Sequence, residues 1–148
     1  MLQVFGRVKS RTFSVVWLLE ELKISYKLFE IDPRSDDAKK IYKNGKIPFI
    51  LEDGNLISDS VAILTYLSDK YKSFTEPPGT IKRAKQDAMT FRVLDEIEAI
   101  LWVAAKHTYV FPIEKKVPEI LGSLKWEFDR NQEKIFDEFL IKKFICGE

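Results

Sequence analysis

Asn44-Gly45-Lys46-Ile47-Pro48-Phe49-Ile50-Leu51-Glu52-Asp53-Gly54-Asn55-Leu56-Ile57-Ser58-Asp59-Ser60 reads as a helix stop, a strand, a tight turn, a returning strand and a new helix start. Asn44-Gly45 ends whatever precedes it. Ile47 to Leu51 is an apolar run of strand length, and Asp53-Gly54 is the dipeptide that closes a two-residue hairpin. Asn55 to Ile57 therefore returns antiparallel to it. Pro48 inside this pattern cannot donate to a ladder, so it marks a sheet edge, a strand entry or a cis bond. Ser58-Asp59-Ser60 supplies capping side chains for a helix to about Tyr71, with Ile63, Leu64 and Leu67 on one face.

Upstream, Leu2 to Val8 reads as a strand and Phe13 to Leu22 as a helix, with Ser10 as its N-cap. Residues 24–31 alternate as a second strand, and Ser35-Asp36-Asp37 opens a short polar helix to about Lys43. A strand, helix, strand unit makes the first two strands parallel through a right-handed crossover. The order β-α-β-α-β-β-α, with a parallel first pair and an antiparallel last pair, is that of a thioredoxin-like domain, assigned to residues 1–75. Pro77-Pro78-Gly79 ends a linker, and beyond it strand patterns stop. Residues 80 to about 108 read as one long helix, and Pro118-Glu119 opens a last helix to about Leu140, giving an all-α C-terminal domain over 80–148.

The 148 residues carry 24 basic and 23 acidic side chains, nearly balanced in each half. No basic face argues for nucleic acid. The longest apolar run, Ala99 to Ala105, is far short of the ~20 residues of a membrane span, and the N-terminus lacks the pattern of a signal peptide. The expectation is a cytoplasmic protein that binds neither membrane nor nucleic acid. One cysteine, Cys146, and one histidine, His107, leave no internal disulfide and no His or Cys cluster for a metal. No Gly-x-Ser-x-Gly elbow accompanies His107.

Three segments in register resemble the cytosolic glutathione transferases. They are Ser10-Arg11-Thr12-Phe13-Ser14-Val15-Val16-Trp17-Leu18-Leu19-Glu20-Glu21-Leu22, Gly45-Lys46-Ile47-Pro48, and Leu56-Ile57-Ser58-Asp59-Ser60-Val61-Ala62-Ile63-Leu64-Thr65-Tyr66-Leu67. The first is like the first helix of many bacterial members. The likeness continues more loosely through Arg83-Ala84 and Trp126-Glu127-Phe128 to Phe144-Ile145-Cys146-Gly147-Glu148.

The resemblance implies glutathione as co-substrate and no metal. A cis Ile47–Pro48 bond leaves the N–H and C=O of Ile47 facing a groove, where an extended peptide adds main-chain hydrogen bonds. The helix start at Asp59-Ser60 favours a carboxylate, Ser60 adds a hydroxyl, and Asp59 accepts from an ammonium; together these suit the γ-glutamyl end. Ser10 lies where strand meets helix, so a thiol there meets a hydroxyl donor and a helix N-terminus, both favouring thiolate. In some serine members the match falls on Lys9 instead. Thr12, or the backbone N–H groups of Arg11 and Thr12, are the alternatives. Lys46 and Lys40 are the candidates for the glycyl carboxylate. Trp102, Trp126 and Cys146 read as packing residues.

The expected activity joins the glutathione thiolate to a small apolar electrophile, with a homodimer expected from the resemblance. The alternative is a catalytically silent interaction module on the same fold. Family members continue past a segment like 144–148, so the expectation is a truncated transferase. The apolar region of Phe136, Leu140 and Phe144 is then exposed, mobile or covered by another chain, and the electrophile pocket is incomplete.

Overall fold

The computed structural model describes residues 1–139, with side chains to Asp137. Leu140, Phe144 and Cys146 lie outside the described residues. The chain divides into two compact units, Met1–Pro77 and Pro78–Glu148.

In the first unit β1 (Leu2–Phe5), β2 (Tyr26–Phe29), β3 (Phe49–Glu52) and β4 (Asn55–Ser58) form one sheet in the order β2-β1-β3-β4. β1 and β2 are parallel, and the other pairs are antiparallel. Period-two alternation sends Leu2, Val4 and Ile50 to one face, where they pack with Val15 and Leu19 of α1 (Thr12–Glu21) and Ile63 and Leu67 of α3 (Ser60–Tyr71). The other face carries Phe5 and Phe49 against Ala38 of α2 (Asp36–Ile41). The hairpin turn takes positive φ at both Asp53 and Gly54 (50° and 80°), as a type I′ turn requires.

Two local expectations are corrected. Ser10 is not the N-cap of α1: Arg11 holds that position and makes no side-chain capping bond to the helix, and the Ser10 carbonyl instead accepts from Phe13 N–H at 2.9 Å. The long helix is also not uniform. It runs as α4 (Ile81–Val93), a π segment (Leu94–Glu98), α5 (Ala99–Ala105) and a second π segment (Lys106–Val110). Each π turn inserts a residue and rotates the following face. The second unit is completed by 3-10 turns at Ile113–Lys115 and Pro118–Ile120 and by α6 (Leu121–Phe139). The fold class is thus a thioredoxin-like unit followed by helices.

Candidate functional site

One row of residues crosses the sheet: Phe29, Phe5, Phe49, Ser58. Because β3 runs against both β1 and β4, three segments leave the sheet at this one end. They are Gly6 to Thr12 after β1, Ile47-Pro48 before β3, and Asp59-Ser60 after β4. Sheet register therefore gathers motifs that lie far apart in sequence. Aromatic packing stiffens the row: Phe5 stacks on Phe29 at 4.8 Å and on Phe49 at 4.7 Å, and the Ser58 hydroxyl donates to Tyr42 Oη at 3.2 Å.

Ser10 and Thr12 form a joined hydroxyl pair. Ser10 Oγ donates to the Arg7 carbonyl at 2.6 Å and accepts the Thr12 N–H at 3.2 Å, with Thr12 Oγ1 3.0 Å away. Thr12 is wholly buried, whereas Ser10 is half-buried. Gly6, at φ +146°, leaves the space that Thr12 occupies; a Cβ there would meet Thr12 Oγ1 at 2.1 Å and the Ile47 Cβ at 3.3 Å. Arg7 pairs with Asp32, tying this loop to the segment after β2. Neither Gly6 nor Arg7 is among the site residues expected from the sequence. A glycine directly after a strand signals close backbone approach, but the Arg7 contribution is a main-chain carbonyl that no residue type announces.

The Ile47–Pro48 bond is cis. Among the described residues neither the N–H nor the C=O of Ile47 has a hydrogen-bond partner. Asp59 holds φ 74° and ψ 127°, sparsely populated for a non-glycine residue and frequent at ligand sites. One carboxylate oxygen, Oδ1, caps α3 by accepting from Val61 N–H at 3.0 Å and Ala62 N–H at 3.3 Å. Its second oxygen has no hydrogen-bond partner among the described residues. Ser60 is buried, yet its hydroxyl has none either, and among the described residues no fully enclosed side-chain polar atom is left unpaired.

The lysines separate. Lys46, beside Ile47, is exposed and unpaired among the described residues. Lys40 binds Asp37 at 2.8 Å on the exposed side of α2, and that hydrogen bond and charge hold its ammonium above the usual lysine range. Among the described residues no cluster of three His, Cys, Asp or Glu stands together as a metal site.

Residues 12–78 match the family described as Glutathione S-transferase, N-terminal domain. Glutathione S-transferase 3 of Schizosaccharomyces pombe is 29% identical over 142 residues, covering 93% of this chain and 52% of the yeast protein. Mouse glutathione S-transferase theta-1 is 29% identical over 119 residues, covering 76% of this chain and 50% of its own length. The chain is thus similar, over residues 12–78 and more loosely beyond them, to proteins of the glutathione-transferase superfamily. It spans about half the length of these curated superfamily members. The crystal structure of the transferase URE2P8 from Phanerochaete chrysosporium with oxidized glutathione has the same fold, with TM-score 0.84, 22% identity, and coverage of 99% of this chain and 70% of that one.

Proposed function

We infer that the chain binds glutathione at the end of the sheet and belongs to a transferase that joins its sulfur to a small apolar electrophile. The observation that carries this reading is the set of unspent hydrogen-bonding groups there: both main-chain groups of Ile47, the Ser60 hydroxyl and one oxygen of Asp59. Their chemistry suits a short extended peptide that begins with an amino-acid head. The solved fungal relative with oxidized glutathione supports the same reading.

The roles follow from the donors. Ile47 holds the peptide's middle residue through main-chain bonds. The Ser60 hydroxyl and main-chain N–H receive the γ-glutamyl carboxylate at the start of α3, where Asp59 Oδ1 already takes the Val61 and Ala62 N–H groups, and the free Asp59 oxygen accepts from its ammonium. Lys46 suits the glycyl carboxylate; Lys40, engaged by Asp37, suits it less. Glutathione supplies the thiolate nucleophile. Ser10 donates its hydroxyl proton to that sulfur after turning away from the Arg7 carbonyl, and holding two reactants together supplies much of the rate. Homodimerisation and a cytoplasmic location belong to the same proposal.

Ser60→Ala is expected to weaken glutathione binding by about 1–3 kcal/mol. Equal affinities in calorimetric titrations of the two proteins would refute the assignment. A second reading, a module that binds without turnover, draws on the Ser10 proton being spent on Arg7. Retention on immobilised glutathione without chromogenic conjugation across an electrophile panel would favour it.

A further inference from the structure

The hydroxyls of Ser10 and Thr12 are not equivalent. Ser10 has one proton, and at 2.6 Å it goes to the Arg7 carbonyl. The proton in the 3.0 Å contact between the two oxygens therefore comes from Thr12. With the Thr12 N–H also pointing at it, Ser10 Oγ receives two donors from a single residue. Thr12 is 0% exposed and its oxygen is tucked against Gly6, so it has no route to a ligand's sulfur.

We propose that Thr12 is a positioning residue: it pins Ser10 Oγ through a donated hydroxyl and a donated N–H, leaving the Ser10 proton free to swing between the Arg7 carbonyl and an arriving thiolate. This deepens the glutathione reading and rests on it for the identity of the sulfur. Hydrogen bonds donated to an oxygen strengthen that oxygen's own O–H as a donor. The arrangement thus holds the oxygen still and polarises its proton, and the required movement is one hydroxyl rotation. Gly6 is part of the device, since any side chain there would displace the Thr12 oxygen.

The test uses the full chain in two arms. In the first, the ionisation of bound glutathione is followed by thiolate absorbance in wild type, Thr12→Val and Thr12→Ser. Thr12→Val keeps the shape and loses the hydroxyl. Its midpoint is expected to rise by about half a pH unit or more with affinity little changed, and Thr12→Ser to return it to the wild-type value. The second arm needs no glutathione. A thiol is introduced by Ser10→Cys in a Cys146→Ser background, and its iodoacetamide alkylation is profiled against pH with Thr, Val or Ser at position 12. The same order is expected, with Val about half a unit to one unit above the others. Coincident profiles for Thr and Val in this arm, or a serine variant that fails to rescue, overturn the proposal. Failure of wild type to bind glutathione overturns the proposed function instead, and the alkylation arm still decides the role of Thr12.

Discussion

In the sheet-bearing unit Val4, Val15, Leu19, Phe49, Ile50, Ile63 and Leu67 are all sealed from solvent, whereas among the described residues of the helical unit only Ile100 and Ile135 are buried hydrophobics. Large apolar side chains on the helices stay open instead: Phe91, Leu101, Trp102, Trp126 and Phe136, the last 53% exposed. The helical unit relies on polar pins, with Arg83 to Asp87, Arg92 to Glu96, Lys125 to Asp129, and Asn131 Nδ2 donating to the Glu96 carbonyl at 3.0 Å. Apolar burial is worth about 1.5–3 kcal/mol per large side chain. Exposed ion pairs are worth about 0–1 kcal/mol. The candidate site thus stands on the better-sealed unit, on a row of aromatic residues that cannot shift without reopening the core.

The largest effect is expected there. Phe49→Ala removes a sealed ring stacked on Phe5 and should cost about 3–5 kcal/mol in urea unfolding. Trp102→Ala, at 45% exposure, should cost about 1 kcal/mol. A Trp102 loss as large as that of Phe49 would break the contrast, and would mean that this helix face is covered in solution.

Next is Asn131→Ala. Asn131 is buried and its amide satisfies the carbonyl of Glu96, inside the first π segment. Losing that buried hydrogen bond should cost about 0.5–1.5 kcal/mol. If the loss is negligible, the helical unit does not depend on this pin.

Both the hairpin and the start of α3 were legible because their signals are local: Asp53-Gly54 needs only its own φ values, and Asp59 caps from within its own turn. The π segments were not. Residues 80 to about 108 carry one roughly helical apolar pattern, and the inserted residues within Leu94–Glu98 and Lys106–Val110 rotate the face along it. A 3.6-residue template absorbs such a slip as scatter. Ser10 misled for a different reason. A serine ahead of a helix normally caps it, but the Arg7 carbonyl captures this hydroxyl, and that contact depends on a loop conformation set by Gly6 and the Arg7–Asp32 pair.

The sheet unit has a polar brace of its own at the end away from the candidate site. Tyr66 Oη donates to Glu52 Oε2 at 2.5 Å and Lys70 binds Glu52 Oε1 at 2.6 Å. Burial pushes the Glu52 carboxyl up, but the hydrogen bonds from Lys70 and Tyr66 and the Lys70 charge outweigh it and hold the group below the ordinary range. A folded value lowered in this way contributes stability that is full above the unfolded value of about 4.3. It is lost as the pH falls through the lower folded value. Glu52→Gln should flatten that acid limb and cost about 1–2 kcal/mol at neutral pH. Glutathione affinity should not change, because Glu52 and Ile47 stand at opposite ends of β3. A shift in affinity would show that the two ends of the sheet are coupled.

The smallest effect belongs to the helical unit's loop. His107 Nδ1 accepts the Val117 N–H at 3.0 Å, its ring meets Phe111 edge-on at 5.2 Å, and Lys116 Nζ donates to the Thr108 carbonyl at 2.7 Å. The segment from Phe111 to Val117 is thus tied back to the second π segment by polar contacts, and these neighbours are at best partly buried. His107→Ala removes one partly solvated hydrogen bond, worth about 0.5–1 kcal/mol, so global unfolding should barely register it. Local opening should register it clearly. Hydrogen exchange at the Val117 amide is expected to accelerate about two- to fivefold, in line with that small free energy, while the Val4 amide in the sheet exchanges as before. Acceleration at both amides would mean that the two units unfold as one, and the division between a sealed sheet and a pinned helical unit would not survive.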